Sequence, residues 1–181
     1  MNRMRILIGA IALTLSTCAV AQTRHRVDQS TDYLMFVPGL TGMAISLYER
    51  DYQGLKQLAL SGATSAAVNY LLEVSIKKDR PDHSGSHAFP STHVAASFTG
   101  AAFLQRRYGW KWGIPAYLLS SYVGWGRIYA KKHDIWDVLA GAAIGAGASL
   151  VYTRPFAKKA NLVLAPAVIN DHPALYLSAR F

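Results

Sequence analysis

Side chains that could bind or transfer an anion fall into two clusters along this 181-residue chain. The first cluster lies between residues 77 and 93, and the second lies between residues 127 and 137. Together they supply cationic, imidazole, hydroxyl and carboxylate groups: Lys77, Lys78, Arg80, Ser91, His93, Arg127, His133 and Asp137. Planar guanidinium groups bind two oxygens of a phosphoryl group at once, so the clusters predict a site for phosphate chemistry.

The second cluster has the spacing of a nucleophilic imidazole. His133 and Asp137 are four residues apart and share one face of a helix, where the carboxylate can take the proton on one ring nitrogen. The other nitrogen is then free to attack. Arg127, six residues before His133, can hold phosphoryl oxygens. Taken alone, this spacing more often reflects an interfacial histidine beside a solvated aspartate than a catalytic pair.

The first cluster leads into the start of a helix. Ser91 or Thr92 fits the N-cap position, and the free backbone N–H groups of that turn would face an anion. His93 can donate a proton beside the same anion. Taken alone, a basic turn before a capping Ser-Thr pair is the commoner reading.

Five apolar segments of 11 to 16 uncharged residues surround the clusters: 33–48, 57–72, 94–104, 112–126 and 138–153. A membrane span usually needs ~20 residues, so these are spans once their flanks are included, or helices of a bundle on the membrane surface. The sequence predicts an all-α, membrane-embedded bundle of about five or six apolar helices. Gly141, Gly145 and Gly147 suit close helix approach.

Charge and cysteine usage narrow the class of partner. The net charge of +9 suits anionic partners, whereas the basic residues are scattered and match no nucleic-acid-binding motif, so we expect no nucleic acid partner. Cys18 is the only cysteine, which excludes a disulfide framework and a thiolate metal site.

The ends of the chain predict an envelope protein of three parts. Residues 1–21 have a basic start, an apolar stretch and a small-x-small site before Gln22, typical of a signal peptide or a first membrane helix. A lipoprotein site at Cys18 ranks third. Residues 22–160 form the helical domain, and 161–181 form a tail with a short hairpin around a turn at 170–173.

The motifs together resemble one family. Arg80-Pro81 after basic residues, then Pro-Ser-x-His ending at His93, then Arg-x5-His-x3-Asp ending at Asp137 is similar to the pattern of type 2 phosphatidic acid phosphatases. That family also includes bacterial acid phosphatases and vanadium haloperoxidases. The resemblance covers residues 73–137 and the helices around them.

The resemblance implies a role for each matched residue. His133 matches the nucleophile, Asp137 its orienting carboxylate, and His93 the general acid that protonates the leaving oxygen. Arg80, Arg127 and Ser91 match the phosphate-binding residues. Three positions depart from the pattern: Glu73 replaces the first lysine, Thr92 replaces a glycine, and Gly126 replaces a serine. Lys77 or Lys78 would then supply the missing cation.

These observations predict a phosphatase that uses neither metal nor cofactor and works through a phosphohistidine. Arginines and helix-terminal amides are expected to neutralise the phosphate charge in place of a metal ion. The expected substrate is a phosphate or diphosphate ester of an envelope lipid, and the expected location is the inner membrane with the site facing the periplasm. The alternatives are a soluble periplasmic acid phosphatase of broad specificity, a vanadate-dependent haloperoxidase, and a non-enzymatic membrane scaffold.

Overall fold

Six helices and a hairpin follow one another in the computed structural model, which describes residues 22–156 and the backbone of 161–169 and 172–180. The helices are α1 (22–34), α2 (Val37–Tyr48), α3 (Tyr52–Ser75), α4 (Thr92–Tyr108), α5 (Trp110–Tyr129) and α6 (Ile135–Tyr152). The strands β1 (Asn161–Ile169) and β2 (His172–Arg180) pair antiparallel, Asn161 with Arg180 and Ile169 with His172. The all-α bundle is therefore confirmed, while the expected leader at 1–21 lies outside the described residues.

Helix boundaries differ from the apolar segments for local reasons. The segment 33–48 is split into the end of α1 and all of α2 by a turn at Met35 and Phe36. Pro38 lies in the first turn of α2, where its missing N–H leaves no hydrogen bond unmade. At the start of α3, the Asp51 side chain accepts a hydrogen bond of 2.9 Å from the Gly54 amide and caps the helix.

Helix α4 lies at the centre and packs against α2, α3, α5 and α6. Its contact with α6 is close because two glycines of α6 face the α4 backbone. A Cβ at Gly141 or Gly145 would collide with the carbonyl oxygen of Ser91 or Ala95, respectively. The same expectation for Gly147 was wrong, since a Cβ there would meet open space.

The bundle buries small polar side chains and exposes large apolar ones. Buried serines donate to backbone carbonyls one turn earlier, as in Ser46 to Gly42 and Ser61 to Gln57, both at 2.8 Å. The exposed apolar residues include Phe36, Leu40, Leu71, Leu118, Trp125, Leu139 and Val151. Helix α6 is the one described helix whose length and composition suffice to cross a bilayer. Small residues inside and apolar residues outside are typical of helices that contact lipid.

The two ends of the bundle hold different groups of charged residues. One end holds the C-termini of α3 and α5 and the N-termini of α4 and α6, and with them both polar clusters. At the other end Arg107 is buried, pairs with Asp51 at 2.5 Å and donates to the Arg154 carbonyl at 2.8 Å. Arg107 therefore ties the start of α3 to the end of α4 and to the segment after α6.

Candidate active site

Backbone hydrogen bonds bring the two clusters together. The chain leaves α3 at Ser75, and Ala88 N later donates to the Lys78 carbonyl at 2.9 Å, which closes the loop between them. Ser91 N then donates to the Asp137 carbonyl at 3.0 Å. This bond joins the start of α4 to the start of α6. All of the predicted site residues except Lys77, which is exposed, lie around this junction.

His133 lies in the turn between α5 and α6 with 5% of its side chain exposed. Its Nδ1 is 2.8 Å from the Ala88 carbonyl oxygen and 3.7 Å from Asp137 Oδ2. The expected hydrogen bond from the imidazole to Asp137 is therefore wrong, because the Ala88 carbonyl is the partner. A carbonyl only accepts, so Nδ1 carries the proton and Nε2 keeps its lone pair. The Ala88 carbonyl thus sets the tautomer that was expected from the carboxylate.

The protonation state of His133 also favours attack. Burial, together with the charges of Arg127 and Arg80, lowers the pKa of His133 to about 4, against the opposing hydrogen bond to Ala88 and the charge of Asp137. The imidazole is neutral at neutral pH. Its Nε2 is then available as a nucleophile.

Asp137 is fully buried and organises the start of α6. Its Oδ2 accepts from the Asp134 amide at 3.0 Å, and Asp134 Oδ1 accepts from the Asp137 amide at 3.0 Å, which completes a capping box. Because Oδ1 is also occupied by Lys78, both carboxylate oxygens are engaged elsewhere than at the imidazole. Sequence reasoning missed Asp134, although an acid three residues before Asp137 at a helix start indicates this box.

Lys78 is held between two carboxylates. Its Nζ lies 2.6 Å from Asp134 Oδ2 and 2.6 Å from Asp137 Oδ1. Burial lowers the pKa of Lys78, but hydrogen bonds to Asp134 and Asp137 outweigh burial and raise the pKa above its usual value. Lys78 stays charged, and its ammonium group pairs with the two carboxylates at the start of α6 rather than being free to bind an anion.

Three residues predicted to bind phosphate have buried atoms without a partner. Arg80 Nε, Arg127 Nε and Ser91 Oγ are each buried, and no residue that the structure describes presents a hydrogen-bond partner to them. Ser91 is the N-cap of α4, yet its side chain makes no capping bond. An unpaired buried polar group costs about 1–3 kcal/mol. Three such groups beside a neutral imidazole are therefore arranged to receive an anion that supplies the missing acceptors.

Helix α1 adds two acidic residues that sequence reasoning missed. His93 Nε2 is 2.9 Å from Asp32 Oδ1, and Arg127 Nη1 is 2.6 Å from Asp28 Oδ1 and 3.1 Å from Asp32 Oδ1. Their spacing of four residues on a helix was visible in the sequence. Their partners were not, because 61 to 99 residues of chain separate them from those partners.

Thr92, one of the departures from the family pattern, faces an apolar cavity. Its Oγ1 donates to Asn69 Oδ1 at 3.0 Å. Both residues line a half-open cavity of about 310 Å³ between α2, α3 and α4, whose walls are otherwise mostly apolar. Asn69 Nδ2 is buried and has no partner within the described part of the chain. The cavity runs along α4 from Thr92 to Gly100.

A neutral, oriented imidazole beside unpaired cationic donors is an arrangement that suits a phosphoric ester hydrolase. Comparison with known proteins agrees, because residues 54–160 match the model of the PAP2 superfamily. The chain belongs to the PAP2 superfamily, which confirms the resemblance drawn from its motifs.

The chain is also similar to curated proteins that act on lipid A. The chain is 30% identical over 156 residues to the lipid A 4'-phosphatase of Helicobacter pylori strain J99, covering 80% of this chain and 78% of that protein. It is 31% identical over 134 residues to a lipid A 1-phosphatase of H. pylori strain ATCC 700392, covering 68% and 69%.

Two crystal structures share the fold. LpxE of Aquifex aeolicus matches with a TM-score of 0.59 at 22% identity, over 69% of this chain and 84% of that one. The PAP2 type phosphatidylglycerolphosphate phosphatase of Bacillus subtilis matches with a TM-score of 0.56 at 21% identity, over 78% and 84%.

Proposed function

We propose that this protein removes a phosphate group from an envelope lipid through a phosphohistidine at His133. The observation that carries the proposal is the set of three buried, unpaired donors, Arg80 Nε, Arg127 Nε and Ser91 Oγ, beside a neutral imidazole. An anion with several acceptor oxygens satisfies all three. Phosphoryl transfer needs this charge neutralisation together with a positioned nucleophile.

The reaction has two displacement steps. In the first, His133 Nε2 attacks phosphorus, the bond from phosphorus to the ester oxygen breaks, and His93 gives its proton to the leaving oxygen. In the second, water attacks phosphorus while His93 takes a proton from that water, the bond from phosphorus to His133 Nε2 breaks, and orthophosphate leaves. Arg80, Arg127 and Ser91 hold the phosphoryl oxygens throughout.

The cavity lined by Thr92 and Asn69 supports a lipid substrate. From Thr92 to Gly100 along α4 it extends about 12 Å, at 1.5 Å per residue, and its apolar walls suit an acyl chain. The unpaired Asn69 Nδ2 inside it could donate to an oxygen on such a chain. The two H. pylori relatives are named for lipid A, so a lipid A phosphate heads the proposed substrates.

The proposed location is the inner membrane, with the site facing the periplasm. The exposed apolar side chains of the helices support a bilayer. Arg106, Lys111 and Arg154 lie at the end of the bundle away from the site, and basic residues favour the cytoplasmic side.

A phosphate-release assay tests the function. Purified protein is given lipid A, phosphatidic acid, phosphatidylglycerol phosphate, undecaprenyl diphosphate and p-nitrophenyl phosphate, and orthophosphate is measured. We expect a lipid phosphate to be hydrolysed with the highest kcat/KM. Preference for p-nitrophenyl phosphate over every lipid would instead identify a broad acid phosphatase, and no release from any ester would reject the proposal.

A further inference from the structure

We infer that Asp28 and Asp32 of α1 are specificity-determining residues that exclude phosphates lacking a lipid anchor. Their carboxylates occupy Arg127 Nη1 and His93 Nε2, two donors at the proposed phosphate site. The inference rests on the proposed function, because it concerns the same site and the same reaction.

The first contact is with the proposed phosphate ligand Arg127. Its Nη1 lies 2.6 Å from Asp28 Oδ1 and 3.1 Å from Asp32 Oδ1, and only 5% of the Arg127 side chain is exposed. One edge of the guanidinium is therefore filled by carboxylate, while Nε remains unpaired. A phosphate oxygen can bind Nε without displacing a carboxylate, but a phosphoryl oxygen that binds Nη1 has to displace one.

The second contact is with the proposed general acid. Asp32 Oδ1 is 2.9 Å from His93 Nε2, so this one oxygen bridges His93 and Arg127. The leaving ester oxygen needs the same two neighbours, one to hold the phosphoryl group and one to protonate the leaving group. The Asp32 carboxylate therefore stands where the scissile ester has to lie.

The close packing of α1 on α5 depends on the absence of a side chain at Gly126. A Cβ at this glycine would lie 2.5 Å from Thr31 Cγ2 and 3.2 Å from Val27 Cγ1. Any larger side chain, including the serine of the family pattern, would push α1 away from α5. The departure at Gly126 thus lets α1 pack against α5 and bring its two acids onto Arg127 and His93.

Competition with these carboxylates discriminates between phosphates. When free orthophosphate or a small soluble ester displaces the carboxylates, it gains only the contacts of its phosphoryl oxygens. A lipid adds burial of its acyl chain in the apolar cavity that Thr92 lines, so it can displace the carboxylates where a soluble ester binds poorly. The acids of α1 therefore protect the enzyme from soluble phosphates, including its own product.

Two carboxamide variants test the inference directly. Asp28→Asn and Asp32→Asn keep the shape of each side chain and remove its charge. We expect orthophosphate to inhibit lipid hydrolysis about tenfold more tightly, equivalent to about 1.4 kcal/mol. We also expect kcat/KM for p-nitrophenyl phosphate to rise relative to that for the lipid. Glu49→Gln, which removes an exposed acid from the far end of the bundle, is the matched control and should change neither.

A third variant tests the inference by displacing α1 rather than by removing a charge. Gly126→Ala adds the Cβ that contacts Thr31 and should tighten orthophosphate inhibition in the same direction, whereas Gly147→Ala, where a Cβ meets open space, should not. If the aspartate variants bind orthophosphate no better, or lose activity on lipid and soluble ester alike, the acids only position Arg127 and the inference is wrong. If the wild-type protein hydrolyses no phosphate ester at all, the proposed function fails instead, and calorimetry with orthophosphate still reports whether the carboxylates compete.

Discussion

Lys78→Ala removes a cation that is held by two carboxylates at once. Its Nζ lies 2.6 Å from both Asp134 and Asp137, and Asp137 is fully buried. Removing one partner of a fully buried ion pair costs about 3–5 kcal/mol. Lys78 and Asp134 are about one third exposed, so solvent reduces the loss to roughly 2 kcal/mol. For a chain of this length that lowers the Tm by roughly 4–8 °C.

The same change should alter the pH dependence of activity. Without Lys78 the negative charge of Asp137, 3.7 Å from His133 Nδ1, is no longer neutralised and stabilises the imidazolium. The pKa of His133 should rise from about 4 by roughly one unit, equivalent to 1.36 kcal/mol. The acid limb of kcat should move to higher pH by the same amount, because only the neutral ring attacks.

Lys77→Ala is the matched control, since the neighbouring lysine is exposed. The assay is a pH profile of kcat and KM on a lipid phosphate, with thermal unfolding of each variant. We expect Lys77→Ala to behave as wild type in both. A Lys78→Ala protein with normal Tm and acid limb but weaker orthophosphate binding would show that Lys78 is a direct phosphate ligand, and the structural reasoning would be refuted.

Three further outcomes are expected. In the wild-type protein kcat should fall as the pH drops through about 4, because His133 becomes protonated there, and a limb near pH 6.5 would contradict the burial of its ring. Activity should survive EDTA and be inhibited by vanadate, since within residues 22–156 no group of three or more His, Cys, Asp or Glu is arranged to hold a metal ion. Loss of activity in EDTA that a divalent ion reverses would overturn this prediction. A cysteine placed in the loop 82–86 should react with an impermeant thiol reagent in intact spheroplasts, and labelling only after lysis would reverse the proposed orientation.

The sequence predicted the bundle because the bundle depends on local pattern, and the candidate site residues were chosen from local pattern too. Apolar runs defined the helices, and residues 80, 91, 93, 127 and 133 were chosen by type and spacing. The structure brings them to one end of the bundle, where hydrogen bonds join the starts of α4 and α6. Glycines of α6 at 141 and 145 were correctly associated with close packing, because absence of a side chain is itself a local feature.

The pairings inside the site could not be predicted in this way. The partner of His133 is the backbone carbonyl of Ala88, and every residue has a carbonyl, so residue type gave no signal. The partners of Asp28 and Asp32 depend on how α1 packs on α5, which a single glycine at 126 permits. The role of Lys78 depended on where α3 ends, and it ends at Ser75, three residues earlier than the lysine.

The central claim is that His133 becomes phosphorylated during turnover, and trapping the phosphoenzyme tests it most directly. Wild-type protein and His133→Ala are mixed with the best lipid substrate and quenched in alkali, where phosphohistidine survives, and the phosphorylated peptide is located by mass spectrometry. We expect a phosphate on His133 in the wild-type protein that acid releases, and neither phosphoenzyme nor turnover in a folded His133→Ala protein. Near-normal turnover by that variant, or a phosphoryl group trapped on another residue, would contradict the account.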